Sequence, residues 1–267
     1  MYPWNKLFLQ NPPRIQPKTI FYGSPGDDIH QIVAKLVKNY LTKSSNIAVN
    51  KEFDLNSFAS PNFFYLKRAE DKSIIPLENL RKPKEFLTLK SNSSRMLFIE
   101  GGEDIRIDGY NALLKVVEES DPSTFIWISA KDLRPIPATI FSRFEKLKIP
   151  SPTCNQIKDH LLAEGLAANE KVLNFLAENP TVMAEPNFYE MLSEFDKAII
   201  KKDIFSIDKT NFHIFVDYLI YLNKEQTTEL GKEPLMKLKA LINAKKSLAS
   251  AHNLNLDVIR LNINSCL

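Results

Sequence analysis

Over its first 150 residues the chain alternates short apolar runs with amphipathic stretches, the order expected of a parallel sheet with helices packed on its faces. Thr19 to Tyr22, Phe63 to Leu66, Met96 to Ile99 and Phe125 to Ile128 are rich in β-branched or aromatic residues and too short for buried helices, so four strands are predicted there. Between the first two, Ile29, Ile32, Val33, Leu36, Val37, Tyr40 and Leu41 recur at helical spacing and make one apolar stripe, with Asp27 or Asp28 as its cap. A second helix is predicted from near Asp108. It turns Tyr110, Leu113, Leu114 and Val117 inward and stops before the breaker Asp121-Pro122.

After Ile149 the run Pro150-Ser151-Pro152-Thr153 forms a rigid turn, and strand-like alternation largely ends. Apolar stripes then pass through Ile157, Leu161 and Leu162, through Val172, Leu173, Phe175 and Leu176, and through Phe188, Met191, Leu192, Phe195 and Ile199. Two more run through Phe212, Phe215, Val216, Leu219 and Ile220 and through Leu235, Leu238, Leu241 and Ile242. The predicted class is α/β followed by helices: a sheet domain over 1–150, a small helical domain over 151–200 and a third, helical domain over 201–267.

Composition adds exclusions. With 44% hydrophobic and 25% charged residues the chain reads as globular, and a formal charge of +3 is too small to announce a nucleic-acid binder, so any DNA contact must be local. Lys67, Arg68, Arg81, Lys82, Lys84 and Lys90 are the local basic stretch; without aromatic residues interleaved at regular spacing, a solvated surface accounts for them better. Cys154 and Cys266 are too few for a disulfide framework or a four-cysteine zinc site, and a reducing cytoplasm fits them. The start of the chain lacks a signal-peptide core, and no apolar run is long enough to span a membrane.

A strand, a glycine-bearing loop and a helix point backbone N–H groups at a phosphate, and Gly23-Ser24-Pro25-Gly26-Asp27-Asp28-Ile29-His30 holds that place. Counted against G-x-x-x-x-G-K-[ST], Asp28 stands at the second glycine, Ile29 at the lysine and His30 at the hydroxyl residue. No cation is left for the phosphates, no hydroxyl for Mg2+, and two acids face the helix end that should welcome an anion. Taken alone, Gly23 to Gly26 is better described as a strand-to-helix turn with acidic caps. At the end of the third strand Glu100 stands where a metal-holding carboxylate belongs and Gly101 where its partner belongs, while Glu103 and Asp104 read as solvated acids.

Asn111-Ala112-Leu113-Leu114-Lys115-Val116-Val117-Glu118-Glu119, then Phe125 to Ile128, then Ile136-Pro137-Ala138-Thr139-Ile140-Phe141-Ser142-Arg143 resemble, in order and spacing, bacterial clamp-loader subunits of the delta-prime and gamma/tau type. Those families show NALLKxLEEP, an apolar strand and LLPTIxSRC. Tyr2-Pro3-Trp4 and Pro61 to Leu66 resemble further family segments, and the resemblance covers about the first 150 residues. Phe144 replaces the family cysteine and Ser120 the proline after the paired glutamates.

The resemblance implies an AAA+-type domain with P-loop NTPase topology, then a helical lid and a helical collar. It also implies a ring-like assembly in which a neighbour's arginine reaches each ATP. Arg143, preceded by Ser142, occupies that finger position; a guanidinium on the γ-phosphate changes rates by about 10³ to 10⁵. A helix cap or surface ion pair is the other use of such an arginine. The implied role is an ATPase-inactive scaffold, with gamma/tau and delta subunits as partners and the sliding clamp and primer-template DNA met through the complex. The alternative is a gamma/tau-like ATPase with an atypical loop. No zinc is expected, because Thr42 to Ser60 contains no cysteine, and ATP binding is expected to be weak or absent. The family's nucleotide-sensing arginine is missing from Asn179 to Ala184.

Overall fold

A computed structural model describes residues 2–23, 28–45, 54–88, 94–226, 232–250 and 256–264. The chain divides into two compact units, 1–166 and 167–267. The first carries α1 (Pro3–Gln10), β1 (Lys18–Tyr22), α2 (Ile29–Ser45), β2 (Phe63–Lys67), α3 (Leu77–Thr88), β3 (Met96–Glu100), α4 (Ile107–Glu119), β4 (Phe125–Ala130), α5 (Ala138–Phe141), β5 (Glu145–Lys148) and α6 (Cys154–Ala163).

The strands form one parallel sheet in the order β2-β3-β4-β1-β5. Side chains alternate across it with period two. Phe21, Phe63, Met96, Phe98 and Trp127 pack with the Ile29-to-Leu41 stripe of α2 on one face. Ile20, Leu66, Leu97, Ile99, Ile126 and Ile128 pack on the other with Leu80 of α3 and with Tyr110, Leu113 and Val117 of α4. Burial on both faces explains why these strands read as continuous apolar runs. Of the expected α2 stripe only Tyr40 is merely half-buried, set against Phe125 at 4.5 Å and Trp127 at 5.6 Å. The Asp28 carbonyl accepts the Ile32 N–H at the helix start. Asp27 lies outside the described residues.

Tyr2 stacks on Trp4 with ring centroids 4.8 Å apart, and His160 of α6 meets both edge-on. Thr153 opens α6 with a reciprocal capping box to Gln156. Leu162, expected inward, is exposed, because α6 buries Ile157 and Leu161 instead.

In the second unit α7 (Glu170–Glu178), α8 (Phe188–Lys201), α9 (Phe212–Gln226), α10 (Lys232–Ser250) and α11 (Leu256–Asn264) are all helical. Their core contains Phe175, Phe195, Phe215 and Tyr218 in edge-to-face or tilted contact. Asp196 joins three of these helices, accepting from Lys171 at 2.6 Å and from the Tyr218 hydroxyl at 2.9 Å. In α10 only Leu241 of the expected stripe is buried; Leu235 and Ile242 stay exposed.

Candidate functional site

The site is built where β1, β3 and β4 end, the edge of an open parallel sheet at which ligands usually bind. His30, the second residue of α2, extends across these strand ends. Its Nδ1 lies 2.8 Å from the Ser129 hydroxyl at the end of β4, and its Nε2 lies 3.3 Å from Glu103 Oε1. A neutral imidazole protonated at Nε2 gives the carboxylate a donor and leaves Nδ1 to accept the serine hydroxyl, so both contacts are met by one tautomer. Glu103 in turn accepts the Lys131 N–H through Oε2 at 3.0 Å. Burial pushes the Glu103 carboxyl up, but the hydrogen bonds from His30 and from two backbone N–H groups outweigh it and hold its pKa below the usual value. Ser129 is 0% exposed, so this serine, histidine and glutamate offer no nucleophile to a substrate.

The residue at the lysine position turns away from the edge. Ile29, at the lysine position, is 0% exposed and packs in the core between α2 and the sheet. Gly23 follows β1 and Asp28 precedes α2, whereas Gly26 lies outside the described residues.

Glu100 closes β3 and accepts the Tyr65 hydroxyl at 2.6 Å, while the Tyr65 ring stacks on Phe98 at 5.5 Å. Burial, and then the hydrogen bond to Glu100, push the Tyr65 pKa up. Gly101 follows in the left-handed region at φ 88°, with its N–H donated to the Ser129 carbonyl at 3.0 Å. A Cβ there would sit 2.8 Å from Asp104 Oδ2, so a second carboxylate at this position would strain the left-handed backbone and push the Asp104 carboxylate aside. Glu103 and Asp104, expected as solvated acids, are instead engaged: Asp104 accepts from Arg68 Nε at 2.9 Å. The tight turn Gly102–Asp104, pinned by the Tyr110 hydroxyl on the Gly102 carbonyl at 2.6 Å, points them into these contacts.

These donors do not fit a Mg2+-triphosphate. Buried Ile29 stands at the lysine position, the hydroxyl-bearing side chain is replaced by an imidazole already bonded on both nitrogens, and Glu103 and Glu100 put negative charge beside it. Beside it lies an open groove of about 600 Å3 whose walls carry Asp28, Asp54 and Glu100 together with Lys35, Lys38 and Lys67. Among the described residues no group of three or more His, Cys, Asp or Glu could hold a metal ion.

Arg143 lies away from that edge, in the turn after α5. Its Nη1 donates to the Thr139 carbonyl at 2.9 Å and to the Ser142 hydroxyl at 3.1 Å, and its Nη2 donates to Glu118 Oε1 at 2.5 Å. Its side chain is 38% exposed. The Ser142 hydroxyl itself donates to the Thr139 carbonyl at 2.9 Å, and Phe144, in place of the family cysteine, is buried in the core. Ser120, in place of the proline, donates to the Val117 carbonyl at 2.8 Å and ends α4.

The basic stretch is divided. Lys67 lines the groove beside Glu100, Arg68 pairs with Asp104, and Lys90 lies outside the described residues. Arg81 and Lys84 line a second groove of about 570 Å3 with Asn111 and Lys115. Sequence reasoning did not single out Ser129, Glu103 or Glu118 as partners, since His30 is 99 residues from Ser129 and Glu118 is 25 from Arg143.

Residues 10–153 match the model of the family described as DNA polymerase III, delta subunit. A DNA polymerase III subunit delta′ from Haemophilus influenzae is 24% identical over 127 residues, which is 47% of this chain and only 38% of the relative's length. A solved DNA polymerase III gamma-subunit-related protein from Thermotoga maritima superposes with a TM-score of 0.50 at 14% identity, covering 97% of this chain and 96% of that one, a likeness of fold. A DNA clamp loader delta protein from Bacillus subtilis covers 98% of both chains at 10% identity with a TM-score of 0.38, too low to bear on the argument.

Proposed function

As the chain belongs to the DNA polymerase III, delta subunit family, we propose that it is the delta-prime-type subunit of a clamp loader, a wall of the ring that does not turn over ATP and lends Arg143 to a neighbouring gamma/tau site. The fold is the α/β, AAA+-like fold of clamp-loader proteins. The observation that carries the reading is the latch across the sheet edge. His30, bonded to Ser129 and Glu103, fills the place where a hydroxyl and a metal would work, and Gly101 leaves Glu100 without a second carboxylate.

With Ile29 buried, the loop's lysine position supplies no cation to charge on a transferring phosphoryl group, and Lys35, Lys38 and Lys67 of the adjoining groove share its walls with Asp28, Asp54 and Glu100. Arg143, by contrast, is a fixed, half-exposed guanidinium, and it needs only proximity to a γ-phosphate held elsewhere to act by charge. The delta and gamma/tau subunits are the direct partners in this reading, and the sliding clamp and primer-template DNA are engaged through the assembly in the cytoplasm. The collar is assigned to the helices beyond residue 200 and the lid to 151–200.

The test is reconstitution of the loader with Arg143→Ala. DNA-stimulated ATPase should fall by about 10³-fold at the affected site, with assembly intact. Unchanged turnover in an intact assembly removes the trans role.

A further inference from the structure

We propose that Glu118 is the positioning residue for Arg143, an inference that rests on the trans-finger reading above. Two of the three guanidinium bonds are local: Thr139 and Ser142 lie within four residues of Arg143 and tie the group only to its own turn. The third crosses to α4, whose Leu113, Val116 and Val117 are locked in the core against the sheet. Glu118 is therefore the bond, among the described contacts, that ties the guanidinium to a second element of the domain.

The neighbouring carboxylate cannot replace it. Glu119 turns to the other side of α4 and pairs with Lys84 of α3 at 3.1 Å. The bond also leaves the finger usable. A guanidinium has five N–H donors, and those three bonds leave Nε and one Nη2 hydrogen without a partner among the described residues. These donors stay available to phosphate oxygens while Glu118 keeps its hold, so the side chain reaches the neighbour's nucleotide already oriented. The signature in the sequence is the first glutamate of the Asn111-to-Glu119 segment, and the structure gives it a task distinct from that of the second.

The experiment uses the reconstituted loader carrying this chain as wild type, Glu118→Ala, Glu118→Gln, Arg143→Ala or the double variant Glu118→Ala/Arg143→Ala, with steady-state ATPase measured in the presence of clamp and DNA. Glu118→Ala is expected to lower kcat roughly tenfold with the KM for ATP unchanged. Glu118→Gln, which keeps an oxygen acceptor, should recover most of that loss, and the double variant should be no slower than Arg143→Ala alone. Wild-type or faster turnover in Glu118→Ala, or multiplicative losses in the double variant, would overturn the positioning role while leaving an Arg143→Ala defect in place. Unaltered turnover in Arg143→Ala would instead overturn the finger reading, and this inference with it.

Discussion

The Arg143 guanidinium and the Glu118 carboxylate meet at 2.5 Å and so join the two sequence segments that carry the family resemblance, one ending α4 and the other following α5. Both side chains are substantially exposed, at 38% and 52%. A pair in that setting is screened by water and salt and contributes little to folding, about 0–1 kcal/mol. The contact is better understood as setting direction than as holding the domain together.

Arg143→Ala and Glu118→Ala should therefore each change the unfolding free energy by less than about 1 kcal/mol, measured by chemical denaturation of the isolated chain. A larger loss in either variant would mean that a functional defect reflects damage to the fold.

The latch gives the chain a pH dependence of definite sign. Glu103 has a folded pKa below its ordinary value of 4.5. Its contribution is complete above that ordinary value and is lost as pH falls through the lower, folded one. Glu103→Gln should cost roughly 1–2 kcal/mol near neutral pH, and the gap between the melting temperatures of variant and wild type should close once the pH has fallen well below the ordinary carboxylate value. A gap undiminished there would contradict a stabilising Glu103 carboxylate.

Restoring the missing lysine should fail for a reason that lies in packing. Ile29 has no exposed surface, so Ile29→Lys puts an ammonium among Ile32, Val33 and the sheet rather than on a phosphate. The variant should lose on the order of 3–5 kcal/mol of stability, with no gain in ATP hydrolysis. Thermal melts and a steady-state assay on the same preparation check both halves.

Gly101→Asp, which would rebuild a carboxylate pair with Glu100, meets a left-handed backbone and the Asp104 carboxylate. A loss of about 1–3 kcal/mol is expected from the strained conformation, read from denaturant midpoints.

What the sequence disclosed follows from how each segment is buried. Strands β1 to β4 are covered on both faces, so each stands out as an uninterrupted apolar run, and the α2 stripe is equally plain. Strand β5 was not foreseen because Glu145–Lys148 lies at the sheet edge and buries only Leu147, too short an alternation to register. Helix α3 was hidden by its charge and by Pro83 inside it, and α1 by its brevity. At the site, the residues at the lysine and hydroxyl positions of the loop could be read by counting from Gly23. The contacts of His30 could not, since Ser129, His30 and Glu103 come together only when β4, α2 and the turn after β3 converge. Arg143 was singled out by its neighbours in sequence, whereas its contact with Glu118 comes from the packing of α4 beside α5.

If the His30 latch closes this edge to nucleotide, isothermal titration of the isolated chain with Mg2+ and ATP should give no saturable heat, corresponding to a dissociation constant weaker than about 1 mM. Saturable binding in the micromolar range, lost on mutation of His30, would contradict it.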